Sequence, residues 1–416
     1  MGRSSVVSFT RSTLTERSAA GSGYTGRVVE VVLHPGRDRS VRRRHPWVLS
    51  GAVARVEGRA EPGAWSCVRS AEGEVLAYGH LSPHSSIRVR LLAFGKATPS
   101  PDLLAARIAS AVARRGDSAL LGDTNAVRLV NAEGDALPGL VADRYGDLVV
   151  VKLTSVGMAA RRDEVASGLR HATGAAAGFE RADSAAARRE GFAASQGALW
   201  GAVPDAPVAV RERSRDYLVD FAGGQKTGFY LDQRDARDLV ESLASGRRVL
   251  DLFSYTGGFA VAAARGGAAS VTAVESSSGA LDLARRNLAD NAADCAVRFE
   301  TGDAFEFVRR DSGRFDLLVI DPPPLARRRG DVARAARAYK DVLLFGLRRA
   351  APGAYVLTFC CSHHVGPELF RKIAFGAALD ADRCGRVLRT LGAPADHPVS
   401  IDHPEGHYLS GLLLQT

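Results

Sequence analysis

Two motifs near the C-terminus combine acid and thiol chemistry. Asp321-Pro322-Pro323 follows the apolar run FDLLVI (315–320), and Thr358-Phe359-Cys360-Cys361-Ser362 closes the next such run. Prolines stiffen a turn and remove N–H donors, which leaves the Asp321 carboxylate and nearby carbonyls facing whatever lies beyond the strand end. A thiol near a methyl donor has a specific use. C5 of a pyrimidine is a poor nucleophile; thiolate addition at C6 makes C5 enamine-like and able to attack an electrophilic methyl group, after which C5 loses its proton and the thiol is eliminated. A free thiol has a pKa of ~8.5, so such a site has to favour the thiolate, and basic surroundings are expected to help. Side chains alternate along a strand, so Cys360 and Cys361 point to opposite sides and at most one faces a shared pocket. The competing reading is two small hydrophobes in a buried strand, which suits free cysteines in general. Position beside the Asp-Pro-Pro turn argues against it for one of the two.

A second group of residues points to a nucleotide cofactor. Asp251 sits near the end of RVLDL (248–252), and the chain then turns through Ser254-Tyr255-Thr256-Gly257-Gly258 into a helix at Phe259. Glycines let the backbone approach a ligand, and the helix start offers free N–H groups. The pattern is not G-x-G-x-x-G, so a dinucleotide pyrophosphate is poorly provided for. Glu275 closes the next strand and is placed to accept from both ribose hydroxyls; Asp303, in ETGDAF, follows the third and is placed to accept from an adenine amine. Any one of these acids could be a helix N-cap. In series, at the carboxyl edge of an open α/β sheet, they favour S-adenosylmethionine, whose sulfonium and amino-acid tail suit an acidic pocket.

The elements that must position these groups are legible in the same region. Candidate strands at Arg248–Leu252, Ser270–Val274, Ala296–Thr301, Leu317–Ile320 and Tyr355–Phe359 alternate with helical stretches at Phe259–Arg265, Ser277–Asn291, Ala304–Arg310, Asp331–Ala350 and Pro367–Leu379. That rhythm predicts a doubly wound parallel sheet. Val387–Leu391 and Tyr408–Leu414 have no helix between them and predict an antiparallel hairpin at one sheet edge. Just before the first strand lies QKTGFYLDQR (225–234), a dense polar stretch without apolar periodicity, expected to cover the cofactor, with Lys226 and Thr227 near the cofactor or an RNA backbone. Upstream, Val28–Leu33, Gly73–Tyr78 and Ile87–Leu92 read as strands of a small β domain. Pro101–Arg115 reads as a helix, and Arg128–Leu153 as hairpin-like strands with turns at Glu133–Asp135 and Tyr145–Asp147. The expected division is a leader at 1–27, a β domain at 28–98, a small α+β region at 99–200 and the cofactor domain at 201–416.

Composition bounds the setting. The 416-residue chain carries a net charge of +9, which favours an anionic partner, nucleic acid first. Residues 1–27 are rich in Ser, Thr, Arg and Gly with Glu16 as the single acid, consistent with a disordered leader, an organellar transit peptide or a mis-called start codon. No apolar run approaches the ~20 residues of a membrane span. The five cysteines show no Cys-x-x-Cys spacing, and His363-His364 has no partner at metal-binding spacing, so no metal is expected and a reducing cytoplasm is the simplest home. The arginine runs 42–44 and 327–329 are read as phosphate contacts.

From about residue 28 to its end, the chain resembles the S-adenosylmethionine-dependent RNA cytosine-5 methyltransferases of the large-subunit rRNA methyltransferase I type. HPWV (45–48) and SIRVR (86–90) are similar to that family's PUA domain, an RNA-binding β barrel; NAEGDALPGLVADRYGD (131–147) resembles its central domain; QKTGFYLDQR is close to a family signature. The resemblance implies a class I methyltransferase (Rossmann-like) α/β domain preceded by a PUA-like barrel and a small α+β domain. It implies Cys361, before Ser362, as nucleophile, with Cys360 a bystander, and Asp321 holding the target base at N3 or the N4 amine. It implies a cofactor site of Gln233, Arg234, Asp251, Phe253, Tyr255, Gly257, Glu275, Ser276, Asp303 and Asp321. RNA contacts are expected at Lys226, Pro322, Pro323, Ser362, Arg327, Arg328, Arg43 and Arg44. Pro324 departs from the family's usual Lys or Ala and would touch the floor of the base pocket. The expected reaction is methylation of cytosine C5 in 23S rRNA. N-methylation of an RNA base, methylation of a small molecule by a repurposed relative, and a non-catalytic RNA-binding assembly factor are the alternatives. Homodimerisation is compatible with the sequence, which gives no oligomeric state.

Overall fold

The computed structural model describes residues 28–116, 118–291, 294–326 and 328–416. The leader expected at 1–27 and the phosphate contact expected at Arg327 lie outside the described residues. Among the described residues no helix is long and apolar enough to cross a membrane.

The C-terminal sheet carries the chemistry-bearing residues. Its strands are β1 (Arg248–Leu252), β2 (Ser270–Glu275), β3 (Ala296–Thr301), β4 (Phe315–Ile320), β5 (Ala350–Cys360), β6 (Arg386–Leu391) and β7 (Ser410–Gln415). They lie in the order β3-β2-β1-β4-β5-β7-β6. β1 to β5 pair in parallel, and β7 runs antiparallel between β5 and β6. Around them pack α1 (Arg234–Leu243), α2 (Gly258–Arg265), α3 (Ser278–Asp290), α4 (Ala304–Arg310), α5 (Val332–Arg349) and α6 (Pro367–Asp380). The central strands are apolar throughout because helices cover both faces. Leu250, Leu318, Ile320, Val356 and Cys360 pack under α4, α5 and α6; Val249, Val319, Leu357 and Phe359 pack under α1 and α2. The period-2 alternation along β5 therefore commits Cys360 to the first face and releases Cys361, one residue past the strand, toward the other. The order reverses between β1 and β4, so their carboxyl ends open the crevice where such sheets bind ligands.

Two further sheets precede this one. The first has six strands in the order Trp47–Leu49, Ile87–Phe94, Val75–Leu81, Trp65–Arg69, Val29–Leu33 and Val53–Glu57. Sequence patterning finds only half of them. Trp65–Arg69 is missed because it buries Ser66, whose hydroxyl is satisfied by donating to Gly79 O at 3.0 Å; Val53–Glu57 is missed because it is largely exposed. The second sheet has five strands: Gly197–Trp200, Ala177–Glu180, Leu148–Leu153, Leu140–Tyr145 and Ala126–Asn131. It is backed by the helices Leu103–Arg114 and Arg162–Thr173 through Ile108, Ala111, Val165 and Leu169. A hairpin, Val208–Glu212 with Arg215–Val219, links this sheet to the third.

Candidate active site

The carboxyl ends of β1, β2, β4 and β5 surround a cavity open to solvent. Its cofactor-side wall is the turn after β1. Phe253, Tyr255 and Gly257 all have positive φ, at 64°, 48° and 77°. The first two are conformations that L residues adopt at a cost, and such strain clusters at ligand-binding turns. Gly257 also has no room for a side chain, since a Cβ there would lie 2.9 Å from Ala284 Cβ. Glu275 holds the turn, accepting from Tyr255 N–H at 3.0 Å on one oxygen and from Ser277 N–H at 2.9 Å and Ser276 Oγ at 3.0 Å on the other. Phe253, Tyr255, Glu275 and Ser276 line the cavity.

The opposite wall is QKTGFYLDQR. Lys226, at φ 52°, reaches back so that its ammonium lies 4.1 Å from the Tyr230 ring centroid and pairs with the buried Asp232 carboxylate. Tyr408 donates to the same Asp232 oxygen at 2.7 Å. Burial opposes the charge on Asp232, but Lys226, His397 and these hydrogen bonds outweigh it and hold its pKa below the ordinary carboxylate range. Gln233 donates through Nε2 to Asp321 Oδ2 at 3.0 Å. Thr227 is fully inside: it donates to Asp143 and lies 2.9 Å from Tyr145 OH, both on the central sheet. The expectation that Thr227 sits near cofactor or RNA is therefore corrected; it ties the segment to the central sheet.

Asp321, Pro322, Pro323 and Cys361 complete the cavity. Burial, reinforced by the charge of Asp232, pushes the Asp321 carboxyl up to about 7. Cys361 Sγ lies 3.6 Å from Pro322 O. Burial first, then the negative charge of Asp321, pushes its thiol upward, while Lys226 pulls it down. The expected thiolate-favouring surroundings are thus not found: the protein's excess positive charge is elsewhere, and two acids outnumber one lysine at this thiol. Cys360 is fully buried in the core.

Other expected residues stand outside the cavity. Arg234 is fully buried, its guanidinium 3.0 Å from Asp396 and 3.6 Å from Glu212 and donating to Ala126 O; it is a structural cation. Asp303 is exposed and caps α4, accepting from Glu306 N–H at 3.0 Å. Ser362 is buried, accepting from Ala326 N–H at 3.0 Å and paired with Tyr339 OH at 2.8 Å, so it fastens the Asp-Pro-Pro loop to the cysteine loop and does not line the cavity. Pro324 is exposed and does not line the cavity. Asp251 lies behind the wall, 1% exposed, with neither carboxylate oxygen hydrogen-bonded. Arg43, Arg44 and Arg328 are exposed, Arg328 accompanied by Asp331 through its backbone. Sequence reasoning did not single out Asp232, Tyr230, Ser254, Thr256, Arg237 or Tyr408. The first two were inside the quoted signature, and Ser254 and Thr256 inside the quoted turn; Tyr408 comes from a strand end more than 170 residues away and carries no local signal.

The structure also gathers His45, His403 and Glu405, a contact between the first sheet and the C-terminal loop that no local spacing reveals. His45 Nδ1 accepts from Trp47 N–H at 3.2 Å, which places the ring proton on Nε2, facing Glu405 at 3.3 Å. A metal-bound imidazole needs the opposite arrangement, with its second nitrogen donating, so His45 and Glu405 read as a hydrogen-bonded latch, with the His403 ring packed edge-on against His45 and Trp47.

Residues 31–94 match a PUA-like domain model and residues 192–398 an S-adenosylmethionine-dependent methyltransferase model. Ribosomal RNA large subunit methyltransferase I of Erwinia tasmaniensis is 39% identical over 389 residues, covering 92% of this chain and 98% of that protein. The Salmonella typhi protein of the same name is 40% identical over 388 residues, covering 92% and 96%. The chain belongs to the ribosomal RNA large subunit methyltransferase I family. The fold agrees with solved structures. A Streptococcus mutans chain assigned to the SAM-dependent methyltransferases superposes with a TM-score of 0.79 at 21% identity, covering 93% of this chain and all of that one. A methyltransferase-fold chain complexed with SAH reaches 0.81 at 22% identity with the same coverage. The cofactor of this family member is S-adenosylmethionine, and the site fits it. Ser254 Oγ and Thr256 Oγ1 on the cavity wall are buried without partners, as is the Asp251 carboxylate behind them. Glu275 Oε2, with a single donor, keeps room for a ribose hydroxyl. When bound, the cofactor supplies a methyl group on a positively charged sulfur.

Proposed function

We propose that this protein methylates C5 of a cytosine in RNA through a covalent bond between Cys361 and C6 of the base; the names of its relatives point to large-subunit ribosomal RNA, which we take to be 23S rRNA. One observation carries the reading: of two adjacent cysteines, only Cys361 opens onto the cavity shared with Asp321 and the cofactor wall, while Cys360 is core. Asp321, poised near neutrality, takes the Cys361 proton and passes it to N3 of the base as the thiolate adds to C6. The C5–C6 electron pair, released by that addition, forms the new bond from C5 to the methyl carbon as its bond to sulfur breaks. C5 then gives its proton to a base, the C6–S bond breaks, and the N3 proton returns through Asp321 to the departing thiolate, which restores the Cys361 thiol. The raised thiol is compatible with this order of events, because proton transfer is coupled to the arrival of a base that takes the proton. The PUA-like domain and the exposed Arg43 and Arg44 are assigned to the RNA backbone.

The test is methyl transfer to a 23S rRNA transcript by two variants. Cys361→Ala is expected to abolish transfer, by a factor of at least ~10⁴, and Cys360→Ala to leave it within about threefold, with any loss traceable to stability. The reverse pattern, or an N-methylated product in the digested RNA, contradicts the assignment.

A further inference from the structure

We propose that Asp232 and Gln233, the last residues of QKTGFYLDQR before the Arg234 helix start, form the edge that selects a pyrimidine bearing an amine at C4 over one bearing a carbonyl, that is, cytosine over uracil. The inference rests on the C5-pyrimidine reading above and adds the residues that decide which pyrimidine is accepted.

Both side chains are 2% exposed and line the cavity that contains Asp321 and Cys361. Each is anchored through one polar atom only. Gln233 donates through Nε2 to Asp321 at 3.0 Å, and that contact fixes the amide so that Oε1 is left as an acceptor. Asp232 is held through Oδ2 by Lys226 and by Tyr408 OH. Gln233 Oε1 and Asp232 Oδ1 have no partner. Buried acceptors without donors are rare and costly, so a pair of them in a cavity wall calls for a ligand that brings N–H groups.

Chemistry decides which ligand. In a pyrimidine the C4 substituent is adjacent to N3, and the group assigned to N3 is Asp321, the hydrogen-bond partner of Gln233. An acceptor tied directly to the N3 partner therefore meets the C4 substituent. Cytosine offers two N–H bonds there, matching two acceptors. Uracil offers a carbonyl oxygen, which would face a carboxylate and an amide oxygen with no proton between them, and sites built on buried hydrogen bonds reject such analogues strongly. Lys226 and Tyr408 act as positioning residues, keeping Asp232 charged and turned. The unpartnered atoms on the cofactor side, Ser254 Oγ and Thr256 Oγ1, are a separate set on the turn after β1.

The experiment uses the full-length protein and two transcripts of 23S rRNA: one with cytidine at the position the wild type methylates, mapped by mass spectrometry of the digest, and one with uridine there. For each, kcat/KM for methyl transfer is measured alongside the Kd for S-adenosylhomocysteine. Gln233→Leu is expected to lower the cytidine-to-uridine ratio at least about tenfold by losing cytidine activity, while Gln233→Glu, which keeps an acceptor, holds the ratio within about threefold. Asp232→Asn can turn an N–H toward a carbonyl and is expected to raise uridine methylation at least about tenfold. S-adenosylhomocysteine affinity should stay within about twofold of wild type in both Gln233 variants, which also reports that they fold. An unchanged ratio in Gln233→Leu together with no gain on uridine in Asp232→Asn overturns the proposal. So does a loss of S-adenosylhomocysteine affinity that accounts for the lost activity, since Gln233 would then belong to the cofactor. If the wild type forms no 5-methylcytidine at all, the C5-cytosine reading falls and takes this one with it; 5-methylcytidine from the wild type with ratios unmoved by the variants overturns the reader alone.

Discussion

Asp251 is a buried acid whose surroundings oppose its charge. Neither carboxylate oxygen has a well-formed hydrogen bond, and burial, with the charges of Asp321 and Glu275 outweighing the nearby Ala260 backbone N–H, raises its pKa well above the ordinary 3.8. As pH rises past about 4 the unfolded chain ionises this group while the folded protein resists, so stability falls with pH over that window. Asp251→Asn should therefore leave the cofactor-free protein's Tm unchanged below pH ~4 and raise it at neutral pH. If Asp251 serves the cofactor's ammonium, as the family resemblance implies, the same variant weakens S-adenosylmethionine binding about tenfold or more. Thermal unfolding across pH together with calorimetric binding checks both halves; a variant that binds normally would remove Asp251 from the site. At this scale the sequence was most informative where chemistry and position coincide, as at Asp321, Cys361 and Glu275. It misled where a residue's type suits two jobs. Arg234 and Ser362 are polar residues beside a site, yet their partners, Glu212, Asp396 and Tyr339, are distant in the chain, and nothing local distinguishes a structural ion pair from a ligand contact.

At the scale of elements, the β1–α2 turn and QKTGFYLDQR are two rigid walls with different supports. The turn is held from within the sheet by Glu275. The signature is held from outside it: Thr227 bonds to the central sheet, and α1, which follows directly, is locked by a buried charge cluster. Glu212 on the linking hairpin receives Arg237 through two hydrogen bonds, at 2.7 and 2.5 Å, with Arg215 and Arg234 beside it. A fully buried carboxylate among three guanidiniums tolerates no loss of charge balance. Glu212→Ala should destabilise the protein by roughly 3–5 kcal/mol, read as a lower denaturation midpoint; a change below about 1 kcal/mol would mean that water or rearrangement replaces the carboxylate. The central strands of the C-terminal sheet and the helices from α2 on were readable to within a few residues, because both faces of those strands are covered and their apolar runs are continuous; α1, and the first five residues of β5, were not read. The hairpin at 208–219 was not, since its inward residues include Glu212 and Arg215, whose burial depends on each other.

At the scale of the whole molecule, the three sheets are joined by polar contacts. Arg90 and Glu190 join the first to the second at 2.8 Å. His45 with Glu405, and Trp47 with Glu133 at 2.8 Å, bring the first sheet against both others. These contacts tie the PUA-like domain to the sheets that carry the cavity. On the proposed function, the net charge of +9 supplies attraction at a distance and the exposed Arg43 and Arg44 are assigned the contact. Replacing both by alanine should reduce the slope of log affinity against log salt by about 1.5–2, measured on 23S rRNA fragments between 50 and 200 mM salt as ~standard titration limits; an unchanged slope would place the RNA on another face. None of these joints was legible in the sequence, because their partners are separated by up to 360 residues and have no periodicity to betray them.

The central claim is that Cys361 bonds to the base it methylates. RNA carrying 5-fluorocytidine tests it most directly, since fluorine at C5 cannot leave as a proton does and the enzyme is held at the covalent stage. Incubation with S-adenosylmethionine, nuclease digestion and peptide mass spectrometry should find one methylated fluorocytidine adduct, on Cys361, in wild type and in Cys360→Ala, and none in Cys361→Ala. An adduct on Cys360, or full methylation of ordinary RNA with no adduct on the fluorinated one, would contradict the account.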